Sequence, residues 1–86
     1  MKHASPEALD RLEPLLVKLR RMPALREKGR GVFYLRSKAF LHFHEDPTGL
    51  FADVRLASEK DFVRMRVSCG TEQNRLLKAI ENASIE

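Results

Sequence analysis

The chain predicts a two-layer α+β fold: one N-terminal helix, a four-stranded antiparallel meander and one C-terminal helix. Three observations carry that reading. Leucines recur at three- and four-residue spacing through residues 9–22, the apolar period changes to two from Gly31, and helical spacing returns after Ser68. Helices apolar on one side and strands apolar on one face are satisfied together when both helices cover one face of the sheet.

Ser5-Pro6-Glu7 reads as a helix start, because a serine hydroxyl satisfies a free amide and proline at the first position loses no hydrogen bond. Leu9, Leu12, Leu15, Leu16, Leu19 and Met22 form the apolar stripe of that helix. Pro14 removes one internal hydrogen bond, which predicts a kink or a restart near Glu13. Met22-Pro23 marks a break, and Ala24 to Lys28 is expected to form a short turn of helix closed by Gly29.

Gly31–Leu35 is the first expected strand, and Arg36-Ser37 leads into Lys38–His44 as the second. Neither linker residue is glycine or asparagine, so the sequence does not guarantee a primed two-residue turn. Glu45-Asp46-Pro47-Thr48-Gly49 carries strong turn chemistry, with proline setting one torsion and glycine permitting a positive one. Leu50–Leu56 is the third strand, Ala57–Lys60 a connection and Asp61–Val67 the fourth strand. Ser68 to Thr71 offers capping residues, and Leu76, Leu77, Ile80 and Ala83 form the stripe of a terminal helix reaching Asn82.

Alternation places Phe33, Leu35, Ala39, Leu41, Phe43, Leu50, Ala52, Val54, Leu56, Val63, Met65 and Val67 under the helices. The opposite face should then carry Val32, Tyr34, Lys38, Phe40, His42, His44, Phe51, Asp53, Arg55, Phe62, Arg64 and Arg66.

With 86 residues, the chain suffices for one domain, spanning residues 1–86, with one modest core. Its hydrophobic fraction of 43% and charged fraction of 33% match a soluble globular protein. No apolar run approaches the roughly 20 residues needed to span a bilayer, so no membrane association is expected. Met1-Lys2-His3 runs into a charged helical pattern with no signal-like apolar stretch, which predicts a cytoplasmic location. Cys69 is the only cysteine, so neither an internal disulfide nor a multi-cysteine cluster can form.

The net charge of +4 is unevenly spread. Residues 1–30 hold eight basic and four acidic side chains, whereas residues 31–60 and 61–86 each hold four of both. The excess gathers in Lys18, Arg20, Arg21, Arg26, Lys28 and Arg30, opposed within that stretch only by Glu27. Such a cluster suits nucleic-acid phosphates or an acidic partner, and it is equally a cationic helix end favoured by the macrodipole.

Tyr34, Phe40, Phe51 and Phe62 place one ring on each expected strand, interleaved with Lys38, Arg55, Arg64 and Arg66. Rings that stack on bases beside cations that meet phosphates make a single-stranded nucleic-acid platform. A homodimer interface or a satellite core accounts for the same rings.

His42 and His44 share the open face, with Asp53 nearby, and such a pair plus a carboxylate is a possible transition-metal ligand set. The motif is short, no distant His or Cys cluster closes it, and no cofactor is expected. Glu45 and Asp46 are explained by the turn rather than as an acid–base pair, so no catalytic residue is assigned. Cys69 becomes a nucleophile only beside a base. Gly29-Arg30-Gly31 lacks the lysine and helix of a phosphate loop.

The succession Met22-Pro23, Gly31-Val32-Phe33-Tyr34, Lys38-Ala39-Phe40, Glu45-Asp46 and Gly49-Leu50 resembles the MmcQ/YjbR-like family of small bacterial proteins. The resemblance covers residues 22–56. It implies a compact α+β fold, bacterial origin and a DNA-binding role. The combined expectation is a non-enzymatic interaction domain that binds nucleic acid through a basic and aromatic sheet face. The alternatives are a homodimeric protein-interaction module and, third, a metal-dependent or cysteine enzyme.

Overall fold

The Ser5 hydroxyl accepts a hydrogen bond from the Ala8 amide at 3.2 Å and, with Pro6 next, starts the first helix where the sequence places it. The computed structural model describes residues 2–56 and 61–83, so the expected connection at 57–60 lies outside the described residues. The order is β1 (Lys2–His3), α1 (Pro6–Arg20), β2 (Leu25–Gly29), β3 (Val32–Leu35), β4 (Lys38–Asp46), β5 (Gly49–Val54), β6 (Val63–Arg66) and α2 (Gly70–Asn82). This is an α+β arrangement of two helices and one antiparallel sheet. No described helix is long and apolar enough to cross a membrane.

α1 continues through Pro14 without the expected restart. Pro14 and Asp10 are both exposed, so the carbonyl that the proline leaves unbonded can meet water. Ala8, Leu12, Leu15, Leu16 and Leu19 are buried in one cluster with Phe33, Leu41, Phe43, Leu76 and Ile80. Both helices therefore cover the same sheet face.

The sheet runs β2-β3-β4-β5-β6, with β1 also paired to β4. The expected meander is thus the β3–β6 portion of a six-stranded sheet. β3 pairs with residues 38–41 of β4, and β5 holds the other edge over residues 41–46. β1, opposite His44 and Glu45, must therefore lie in line with β3 along the far half of β4.

The helical turn expected at Ala24–Lys28 is instead β2, and this corrects the sequence reading. Alanine, leucine, arginine, glutamate and lysine all favour helix, but five residues between Pro23 and Gly29 are too few to hold one alone. Pairing with β3 satisfies their backbone groups and buries Leu25. The β2–β3 connection is Arg30-Gly31, and Gly31 there has φ +79. Its missing Cβ admits Leu9 of α1, whose Cδ2 would lie 2.7 Å from an added methyl.

β3 and β4 join through Arg36-Ser37, with Arg36 at φ 61. Phe33 faces Leu41 and Tyr34 faces Ala39, so β4 carries one extra residue between them. That residue is Phe40. The bulge breaks the alternation and turns its ring into the core, where it is 3% exposed. Phe40 was expected on the open face, and this is the second correction. At the next turn Asp46 accepts from the Thr48 amide at 3.1 Å and the Thr48 hydroxyl at 2.7 Å, and Gly49 adopts φ +144.

Candidate functional site on the open sheet face

In the β4–β5 ladder, Leu41 faces Val54 and Phe43 faces Ala52 on the covered side. Between them His42 faces Asp53 and His44 faces Phe51 on the other side. β1 adds His3 directly across from His44. Three imidazoles therefore meet on the open face, with ring centroids 4.9 Å apart for His3–His44, 4.8 Å for His42–His44 and 6.2 Å for His3–His42. One nitrogen from each ring lies within 4.8 Å of the others.

His42 and His44 were expected as a pair; His3 was not. Its only sequence signal is the charge complementarity of Lys2 with Glu45, which the β1–β4 register places opposite each other. Ser5 strengthens that placement, because its amide and the Glu45 carboxylate form a short hydrogen bond. Glu45, read from sequence as turn chemistry, thus holds the helix start against β4, and its pKa is lowered chiefly by the Ser5 hydrogen bonds.

Asp53 is 8% exposed and is the buried charged residue of this face. Arg64 of β6 donates to both its oxygens, through Nε at 2.8 Å and Nη2 at 2.9 Å. That fork, more than any other cause, lowers the Asp53 pKa. His44 Nε2 lies 3.1 Å from Asp53 Oδ2, but the two are not aligned for a hydrogen bond. The buried nitrogens His44 Nδ1, His44 Nε2 and His42 Nδ1 have no hydrogen-bond partner. Burial, followed by repulsion from His44, lowers the His42 pKa. Phe62 packs edge-on to His42 at 4.9 Å and is capped by the Arg55 guanidinium at 4.6 Å.

The expected cations divide into two groups. Arg20 is fixed by Glu13 and Glu27 at 2.6 Å each, and Arg30 by Asp10 and Glu13 at 2.9 Å each. The fold thereby brings two further carboxylates, Asp10 and Glu13, to a cluster that the sequence opposed only with Glu27. Arg64 is committed to Asp53, and Arg66 binds Glu72 of α2 at 2.9 Å and the Thr48 carbonyl at 3.1 Å. Among the described residues, Lys18, Arg21, Arg26, Lys28 and Lys38 form no ion pair.

Arg26 faces Tyr34 across β2 and β3, and the Lys28 ammonium lies 4.6 Å over the Tyr34 ring. Of the four expected rings, Tyr34, Phe51 and Phe62 are half-buried and Phe40 belongs to the core. Cys69 is exposed at the start of α2. A notch of about 150 Å³ opens where β1 and β3 both leave β4, bordered by His3, His42, Gly31 and Leu9. That volume is below the roughly 300 Å³ at which small-molecule pockets begin.

Comparison with known proteins finds no matching family model, no similar curated protein and no similar solved structure.

Proposed function

We propose that this domain is a non-enzymatic binding module for nucleic acid, engaging phosphates at the β2–β3 corner of the sheet. The observation that carries the reading is the group of cations left without an acidic partner around Tyr34. Arg20 and Arg30 occupy the nearby carboxylates, while Arg26 and Lys28 flank the half-buried ring. Lys18 and Arg21 end α1 just before β2, and Lys38 begins β4 on the other side of β3. A ring beside unpaired cations supports base stacking together with backbone neutralisation. The resemblance of residues 22–56 to the MmcQ/YjbR-like proteins favours the same activity.

The competing reading is a homodimer formed through the open face. The patch that motivated it is smaller than the sequence suggested, since Phe40 lies in the core and Arg55 covers Phe62. Against an enzyme built on the histidines, the Asp53 carboxylate is committed to Arg64.

Fluorescence anisotropy with a labelled single-stranded oligonucleotide tests the proposal across a salt series. If three phosphates are neutralised, log K should fall against log salt with a slope of about −2. Arg26→Glu or Lys28→Glu should weaken binding. Absence of binding at low salt, or affinity indifferent to salt, overturns the assignment, and a dimer in sedimentation lost on Phe51→Glu then favours protein association.

A further inference from the structure

We propose that His3, His42 and His44 form a binding site for a borderline divalent transition-metal ion, zinc foremost. The proposal is independent of nucleic-acid binding and uses a different part of the open face. Its basis is a side-chain cluster assembled by non-local pairing: two imidazoles from alternate positions of β4 and a third from β1 in register with them.

Chemistry and burial both favour an ion there. Three imidazoles form a neutral nitrogen donor set of the kind that binds zinc, nickel, cobalt or copper, and the fourth position remains for water. Tetrahedral zinc with bonds near 2.0–2.1 Å requires nitrogen pairs about 3.3 Å apart. The present separations of up to 4.8 Å would have to shorten by about 1.5 Å on binding. His3 is exposed on a two-residue strand and is the side chain with most freedom to move.

The buried and unbonded nitrogens of His42 and His44 supply the second argument. Buried polar atoms without a partner are rare and costly, and a metal satisfies one nitrogen on each ring directly. Asp53 supplies the third. Its oxygen lies 3.1 Å from His44 Nε2, so a small ring rotation creates the carboxylate–histidine pair that commonly fixes a metal-bound imidazole. Nδ1 of His44 is then the nitrogen left for the ion. Arg64 holds that carboxylate in place and occupies both oxygens, so Asp53 acts beside the ion rather than upon it.

The test is calorimetric titration of untagged, chelator-treated protein with zinc chloride, paired with NMR of the imidazole nitrogens. The expected result is one ion per chain at micromolar or tighter affinity, with all three imidazoles shifting together. His3→Ala removes a ligand on a terminal two-residue strand, so the fold persists and affinity should fall by at least about tenfold. That is the lower end of what loss of an outer supporting residue alone costs. His44→Gln should abolish the coupled shift. No heat and no imidazole shift at about 100 μM zinc overturns the proposal, as does zinc binding that His3→Ala leaves unchanged.

Discussion

Asp53 sits beneath Arg64 on the open face of the sheet, accepting hydrogen bonds from its Nε at 2.8 Å and Nη2 at 2.9 Å, although the two residues are eleven positions apart in sequence. The pair is asymmetric: the Asp53 side chain is 11% exposed and that of Arg64 is 51% exposed. Removing one partner therefore does not mirror removing the other. Arg64→Ala leaves a carboxylate buried without its fork, whereas Asp53→Ala releases a guanidinium that can turn to water. Urea denaturation should place the midpoint of Arg64→Ala below that of Asp53→Ala, with the double variant above Arg64→Ala. The reverse order would show that Asp53 is solvated well enough to stand alone.

Phe40 tests the bulge. With its ring 3% exposed, Phe40→Ala should cost about 3–5 kcal/mol in chemical denaturation, as expected for a core aromatic. Phe51→Ala, on the open face and half-buried, should cost clearly less. Equal losses would return Phe40 to the open face that simple alternation assigned it.

Gly31 combines a positive φ of +79 with contact against Leu9. Gly31→Ala should lose about 2–3 kcal/mol, adding the left-handed penalty to displacement of a packed leucine. Shortening Leu9 in the same chain should recover part of that loss, and the double-mutant cycle measures how much. Gly29 has no neighbour within 4 Å of an added Cβ, so Gly29→Ala is the matched control.

Acid should loosen the junction of α1 and β2. Glu27 accepts from Arg20 and from the Gly31 amide, and the Arg20 hydrogen bond is the main reason its pKa lies below the usual 4.5. A folded-state pKa lower than the unfolded one contributes stability that is present above about 4.5 and is lost as pH falls through the folded value. The stability of the parent protein should decline below about pH 4.5, and Glu27→Gln should flatten that acid limb while lowering stability near pH 7. An unchanged acid limb in Glu27→Gln would assign the decline to other carboxylates.

Most of the secondary structure is legible in the sequence. The leucine spacing of α1 and the stripe of α2 record burial on one side of an element, whereas the period of two fails at the Phe40 bulge of β4 and at Val63 of β6, which was expected under the helices and is 41% exposed. The Asp46-Pro47-Thr48-Gly49 turn is likewise local, because its proline, Asx bonds and positive glycine torsion act within four residues. Local signals mislead at Leu25–Gly29. There, helix-forming side chains yield to the hydrogen bonds offered by the edge of β3.

What the sequence determined by itself is the α+β class, the presence of two amphipathic helices and the placement of His42 with His44 on one face. Tertiary structure decided the rest: the edge strands β1 and β2, the inward turn of Phe40, the neutralisation of Arg20 and Arg30, and the arrival of His3 beside His44. The physical reason is range. Periodicity reports which side of an element is buried, whereas register, bulges and ion pairs depend on backbone and side-chain partners that lie many residues away and come together only in the folded sheet.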